Sequence, residues 1–315
     1  MKSILFSILF LLVPKIALSQ DTTDRKIIYL DSLWHKTTKE NLQYYRVING
    51  YYSPKQDSYL IQDYYKSGVL EKQGISKSKE GNAREGEFIF YYENGNKKAI
   101  SYYTKNQLNG KEIQWYENKK IKQEGDYTAD EKKNTSEYKV NQFWDNNEIQ
   151  KVIDGNGDYE ETREKFFASG KVKDGYKDGL WEGYDKKIGY TFKETYENKK
   201  LVSGVSIDKN NVLHHYKTVE VRPEAKNGIE DFYKHVAKNF RMPEVEGLKG
   251  KIYLTFIIDK DGKVIDPKLI QGIGYGADEE ALRVLSSYKN FIPGEIRGIK
   301  VRCTYSLPIT LNSVQ

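Results

Sequence analysis

The chain has 315 residues, of which 30% are charged and 38% are hydrophobic. Its 51 basic and 45 acidic residues are interleaved and leave a net charge of +6. We therefore expect a well-solvated surface and no nucleic-acid partner. Tyrosine is unusually common, with 26 residues against two methionines. This composition suits exposed antiparallel sheet rather than a deep helical core.

The N-terminus has the pattern of a secretory signal peptide. Lys2 precedes an apolar run from Ile4 to Val13, and Ala17-Leu18-Ser19 supplies a cleavage site of the small-x-small type. Residues 1–19 are therefore predicted to be removed, and the mature chain is expected in the periplasm or cell envelope. An uncleaved anchor is the alternative, although the apolar run is well short of the ~20 residues that span a bilayer.

Residues 20–218 are predicted to form a β-repeat domain, because an aromatic-led turn segment recurs in them. The segments follow each other at intervals of 23 to 29 residues. Each unit is predicted as a strand, an Asn-Gly-type turn and a second strand, and such units must stack to bury a hydrophobic face. The six segments are Tyr64–Gly68, Tyr91–Gly95, Trp115–Lys119, Phe143–Asn147, Phe166–Gly170 and Thr195–Lys199.

The region from about 60 to 205 resembles the MORN-type repeats of exported bacterial proteins and the YwqK antitoxin family. Gly179-Leu180-Trp181-Glu182-Gly183 is the best single match. The resemblance implies a long antiparallel sheet that acts as a scaffold for protein contact. A spacer without a ligand, and a module that binds protein or lipid through the repeats, are the alternatives.

Residues 219–228, with Pro223, are predicted to be a linker. Asn227 is then placed to cap a helix, with Glu230 completing a capping box, and Pro243 ends that helix. Apolar residues at helical spacing predict that it packs across the sheet of a terminal domain, residues 229–315. They are Ile229, Phe232, Val236 and Phe240.

The terminal domain begins its sheet with a hairpin. Asp261-Gly262 lies between two apolar runs, which is a strong signal for a tight turn. Along the first strand Ile252, Leu254, Phe256 and Ile258 alternate with Tyr253, Thr255 and Ile257. Both faces are largely apolar, which predicts a central strand covered on both sides. The second strand, Lys263 to Ile270, contains Pro267 and is therefore predicted at an edge.

A second helix and a third strand complete this domain. Asp278, Glu279 and Glu280 suit a helix N-terminus, and Ala281, Val284, Leu285 and Tyr288 follow at helical spacing. The third strand, Ile299 to Leu307, is predicted to dock beside the central strand and to leave one edge open. An open edge accepts an extended peptide. The candidate peptide-binding residues are Ile299, Lys300, Val301, Arg302, Thr304 and Ser306.

From about Ile229 to Leu311 the chain resembles the TonB C-terminal domain family. The hairpin, the G-I-G before E-E-A-L-R-V, the loop with Pro293, Gly294, Arg297 and Gly298, and the strand ending in L-P-I carry the resemblance. Phe291 stands where this family often has tryptophan. The resemblance implies two helices on a three-stranded antiparallel sheet that binds an extended peptide of an outer-membrane receptor by strand addition.

The partner expected from this resemblance is a protein or peptide of the cell envelope, such as a TonB-dependent outer-membrane receptor, with membrane contact only indirect. An energy-transducing subunit of outer-membrane transport is the alternative. It needs an inner-membrane anchor and a proline-rich spacer, and the seven prolines of this chain are not clustered.

Residues with catalytic or metal-binding chemistry form no known pattern. Gly272, Gly274 and Gly276 do not have the spacing of a dinucleotide-binding loop, and a turn accounts for them. Asp154, Asn156 and Asp158 begin like a calcium loop, which then lacks its glycine and its glutamate. His214 and His215 would point in opposite directions on a strand. Cys303 is the single cysteine, so it cannot form an intramolecular disulfide. Its position on the apolar face of the third strand predicts a small buried hydrophobe. We expect no cofactor and no enzyme.

Overall fold

The computed structural model describes residues 24–54 and 56–312, so the predicted signal peptide, residues 1–19, lies outside the described residues. By its internal contacts the chain divides into two compact units. The first contains the residues up to Val140 together with Trp144–Ile149, and the second contains Asn141–Phe143 and the residues from Gln150 onward. The boundary that the sequence suggested between repeats and terminal domain, residues 219–228, falls inside the second unit.

The first unit is an antiparallel meander in which each strand pairs with the next along the chain. Its strands are β1 (Arg25–Leu30), β2 (Tyr44–Asn49), β3 (Tyr59–Tyr65), β4 (Leu70–Ser76), β5 (Arg84–Tyr91), β6 (Lys97–Thr104), β7 (Gln107–Trp115) and β8 (Ile121–Asp130). Strand β9 (Thr135–Trp144) has residues in both units.

The second unit continues with a meander of the same kind. Its strands are β10 (Gln150–Ile153), β11 (Asn156–Arg163), β12 (Phe166–Lys173), β13 (Tyr176–Asp185), β14 (Tyr190–Glu197), β15 (Lys200–Asp208) and β16 (Leu213–Tyr216). The remainder is β17 (Glu220–Val221), β18 (Glu224–Ala225), α1 (Ile229–Asn239), β19 (Lys249–Ile258), β20 (Val264–Gln271), α2 (Ala277–Ser287), β21 (Phe291–Ile292), β22 (Gly294–Ile296), β23 (Ile299–Val301) and β24 (Cys303–Asn312).

This order confirms the predicted fold class, a long antiparallel sheet followed by two helices on a three-stranded antiparallel sheet. The terminal sheet has the order β20-β19-β24, with the Pro267 strand at one edge as predicted. Two small sheets accompany it, β17-β22-β23 and β18-β21.

Five of the six aromatic-led segments lie where a repeat strand ends. At the end of β3, for example, the Tyr65 amide donates to the Val69 carbonyl, and Gly68 takes a φ of 89°. The sixth segment, Phe166–Gly170, was wrongly predicted as a turn and lies inside β12. The chain reverses instead at Asp174 and Gly175, which take φ values of 53° and 86°.

Aromatic rings packed over cross-strand glycines provide buried apolar contacts within the meanders. Phe88 lies opposite Gly74, and a methyl group on Gly74 would approach its ring to 2.5 Å. Trp181 covers Gly170 in the same way and is fully buried. A glycine therefore leaves the space that a large cross-strand ring fills.

The terminal sheet and both helices share one hydrophobic core. Ile252, Leu254, Phe256 and Ile258 of β19 are buried in it, together with Phe232 and Val236 of α1, Val284 and Leu285 of α2, and Leu307, Ile309 and Leu311 of β24. Phe291, which stands where the TonB C-terminal domain family often has tryptophan, is also part of this core. The prediction that β19 is covered on both faces is wrong: Tyr253 remains 39% exposed, because both helices pack on the opposite face.

The segment before α1 also differs from its prediction. Gly228, with a φ of 88°, is the N-cap residue, and no side chain caps the helix. Asn227 therefore lies outside the helix, and Ile229 is 41% exposed. Residues 219–228 are not a free linker, because β17 pairs with β22 and β18 pairs with β21.

Candidate functional site

The predicted third strand is two strands in two different sheets. Strand β23 pairs with β22, whereas β24 pairs with β19 over ten residues. The break falls at Arg302, which belongs to neither strand. The prediction of one strand from Ile299 to Leu307 is therefore wrong. A hairpin turn at Arg297 and Gly298, both with positive φ, draws β23 onto β22 instead.

The candidate peptide-binding residues are correspondingly separated. Ile299, Lys300 and Val301 pair with Ile296, Glu295 and Gly294 in the small sheet, and Arg302 is exposed between the strands. Thr304 and Ser306 lie on β24, exposed, opposite Ile257 and Thr255.

Strand β24 lies at the end of the order β20-β19-β24, so one of its edges has no strand partner within the described ranges. It continues past Leu307 to Asn312 and includes Pro308, which stands opposite Tyr253 in an unbroken register. Proline lacks an amide proton, so its nitrogen fits a position that faces away from the ladder. Because bonding direction alternates along an antiparallel strand, the amides of Thr304, Ser306, Thr310 and Asn312 also face the free edge.

The free edge carries no charged side chain. From Cys303 to Asn312 the sequence is C-T-Y-S-L-P-I-T-L-N, in a chain of which 30% is charged. Proteins commonly protect an exposed strand edge with charges, especially lysine, or with proline. Pro308 is the one such residue on β24, so the edge is left largely accessible to another strand.

An apolar groove of about 330 Å³ runs beside this edge. One wall is β24 from Leu307 to Leu311, and the other is formed by Tyr233, Val236, Ala237, Phe240 and Met242. Tyr233 and Met242 are 50% and 42% exposed. No pattern in the sequence indicates this groove, because it depends on where α1 packs against the sheet.

Arg297 forms a second feature that the sequence did not reveal. Its side chain is buried, and Nε donates to Oε1 of Glu194 in β14 over 2.8 Å. The Glu194 side chain is fully buried and also accepts hydrogen bonds from the hydroxyl groups of Tyr196 and Tyr216. The guanidinium lies 3.8 Å from the centre of the Phe192 ring. Burial raises the pKa of Tyr216, and the Glu194 carboxylate raises it further.

The backbone of Arg297 is also held in place by hydrogen bonds. The Arg297 amide donates to the Val219 carbonyl, and the Ser206 hydroxyl donates to the Arg297 carbonyl, each over 2.7 Å. The loop of the terminal domain that carries Arg297 is therefore anchored to strands β14 and β15.

The other candidate motifs have structural explanations. The loop with Gly272 and Gly274 joins β20 to α2, and the Asp278 carboxylate accepts the amides of Ile273 and Gly274. His214 contacts Asp208 at 3.2 Å. Cys303 is half-buried rather than fully buried. Among the described residues there is no group of three or more side chains suited to hold a metal ion. Within the same residues, no helix has the length and apolar character to cross a membrane.

Comparison with known proteins agrees with this architecture. Residues 244–312 match the family model TonB_C, described as Gram-negative bacterial TonB protein C-terminal. No curated protein matches the chain. Domains of this family serve energy transduction and protein interaction and are not enzymes, which fits the expected absence of catalysis. A TonB-like domain also implies a protein of the cell envelope.

Proposed function

We propose that this cell-envelope protein captures an extended peptide through its terminal domain, and that the peptide adds as a fourth strand to β24. The observation that carries the proposal is the free, uncharged edge from Cys303 to Asn312. Main-chain hydrogen bonds give affinity in strand addition, and pockets for alternate side chains give specificity. The groove beside Leu307–Leu311 supports such side-chain selection.

The proposed site keeps two of the residues chosen from the sequence and gains two others. Thr304 and Ser306 remain, and Thr310 and Asn312 extend the edge beyond Pro308. Ile299, Lys300, Val301 and Arg302 lie outside β24, so a guest strand on β24 would not hydrogen-bond along them. The partner class that fits the family resemblance is a peptide segment of an outer-membrane receptor.

We further propose that the repeats act as a scaffold within each unit. Three tyrosine hydroxyls of the first unit each donate over 2.8 Å to a backbone carbonyl in the next repeat: Tyr65 to Tyr91, Tyr92 to Trp115, and Tyr116 to Trp144. These bonds connect consecutive repeats through side chains, in addition to the backbone hydrogen bonds between neighbouring strands. In the second unit, Arg297 ties the peptide-binding domain to the last repeat strands.

Thr304→Pro tests the proposal. The Thr304 amide faces the free edge, so proline there removes no bond to β19 but does remove a donor to the guest. We expect affinity for peptides of TonB-dependent outer-membrane receptors, measured by calorimetry, to fall about tenfold or more. Thr304→Val keeps the amide and serves as the matched control. Unchanged affinity of the proline variant would contradict the proposed edge.

A further inference from the structure

A second pocket of about 600 Å³ lies around the small sheet β17-β22-β23 and reaches Cys303, the first residue of β24. Its apolar lining consists of six half-buried or exposed side chains: Ile188, Val221, Pro223, Ile296, Val301 and Cys303. The volume is within the range of about 300–1,000 Å³ that is typical of sites for small ligands. The pocket therefore offers an apolar surface of a size that suits a small molecule.

Basic side chains surround this apolar lining. Lys187, Arg222, Lys260 and Arg302 line the pocket together with two acidic residues, Glu220 and Glu295, which leaves a local charge of +2 (4 − 2). None of the four cations forms an ion pair with another residue in the part of the chain that the structure describes. The charges of Lys187, Arg222 and Lys260 are thus available to an anion that enters the pocket, whereas Arg302 also acts on Asp259, whose pKa it helps to lower.

We propose that this pocket binds a small amphipathic anion, with an apolar body against the lining and a carboxylate or phosphate group among the four cations. Burial of apolar surface supplies a driving force proportional to the area removed from water. The exposed cations add a weaker, salt-sensitive attraction. Neither a free inorganic anion nor a neutral amphiphile would use both parts of the site. This inference does not depend on peptide binding at β24.

Cys303 makes the pocket directly observable. It is the single cysteine of the chain, it lines the pocket, and it is half-buried. Burial raises the pKa of its thiol, and the nearby Glu220 carboxylate raises it further. A bound ligand would cover the sulfur, so the rate of alkylation reports occupancy of this pocket when no peptide is present at β24.

The experiment measures the alkylation rate of Cys303 in the full mature chain with three probes. Laurate below its micelle concentration provides an apolar body and an anion, octyl glucoside provides an apolar body alone, and inorganic phosphate provides the anion alone. We expect laurate to slow alkylation in a saturable manner, and the other two to do so only at much higher concentrations. Equal protection by laurate and octyl glucoside, or none by laurate, would overturn the proposal. Protection by phosphate equal to that by laurate would also overturn it.

Charge variants complete the test. Arg222→Gln with Arg302→Gln removes two exposed cations of the pocket, and we expect the laurate concentration for half-protection to rise about tenfold. Lys300→Gln removes a neighbouring exposed cation that does not line the pocket, and it should leave that concentration unchanged. An equal shift in both variants, or no shift in the double variant, would show that the four cations do not form an anion site.

Discussion

Removing the Arg297 side chain should destabilise the second unit strongly. In Arg297→Met, the Glu194 carboxylate loses its guanidinium contacts of 2.8 and 3.5 Å while it stays fully buried. Breaking a buried ion pair by removing one partner typically costs about 3–5 kcal/mol. Since a domain is commonly stable by about 5–15 kcal/mol, this loss would be a large fraction of the total.

A second substitution separates the charge effect from lost packing. Glu194→Gln, added to Arg297→Met, removes the unpaired charge and keeps one of the two oxygens that accept from Tyr196 and Tyr216. The hydroxyl that faces the new amide NH2 group can accept a hydrogen bond from it instead. We expect the double variant to recover at least half of the lost free energy of unfolding, because the main penalty is the uncompensated charge. Lys300→Met removes an exposed cation of β23 and should change stability by less than about 0.5 kcal/mol.

The measurement is urea unfolding by tryptophan fluorescence, with hydrogen exchange of β14 and of β22–β23 to localise the change. Exchange should accelerate in both segments in Arg297→Met and return towards the original rates in the double variant. If Arg297→Met lowered the free energy of unfolding by less than about 1 kcal/mol, the anchoring role of Arg297 would be refuted, since a loss of that size is expected of an exposed ion pair. A double variant less stable than the single one would refute the charge argument.

Two further predictions concern the sheet and the second helix. Gly74→Ala should destabilise the first unit by about 1–3 kcal/mol in thermal unfolding, because its methyl group would approach the Phe88 ring to 2.5 Å. Gly95→Ala has open space for its Cβ but a φ of 82°, so it measures backbone strain without crowding, whereas Gly74 is not among the positive-φ glycines. Arg283 and the Arg241 amide lower the pKa of Glu280 from 4.5 to about 2. Its folded-state pKa is depressed, so its stabilising contribution is present above pH 4.5 and is lost as the pH falls towards 2. The free energy of unfolding, measured against pH, should show this loss. The loss should be smaller in Glu280→Gln, and a pH profile identical to that of the original protein would contradict the assignment.

Features set by neighbouring residues could be predicted from the sequence. The hairpin at Asp261-Gly262 is one of them, because the Asp259 carboxylate accepts the amides of Asp261 and Lys263, and Gly262 takes a φ of 78°. The repeat turns follow from the same turn chemistry. The apolar run of β19 correctly indicated a central strand, but because both of its faces are largely apolar, it did not indicate that only the face with Ile252, Leu254, Phe256 and Ile258 enters the core.

Features set by distant residues could not be predicted. The break at Arg302 follows from the position of the Arg297 loop, and Arg297 contacts Glu194, which is 103 residues away in the chain. Asn227 is a good helix cap by composition, but the positive φ of Gly228 moves the helix start past it. The groove beside β24 and the basic pocket likewise combine segments that have no common pattern in the sequence.

The central claim is that the outer edge of β24 receives a guest strand, and amide hydrogen exchange at single-residue resolution tests it most directly. When a bound receptor peptide is present, the amides of Thr304, Ser306, Thr310 and Asn312 should become protected. Those of Tyr305 and Leu307, which already face β19, should change little. Protection that appears on β20, or in no strand of the terminal sheet, would contradict strand addition at β24.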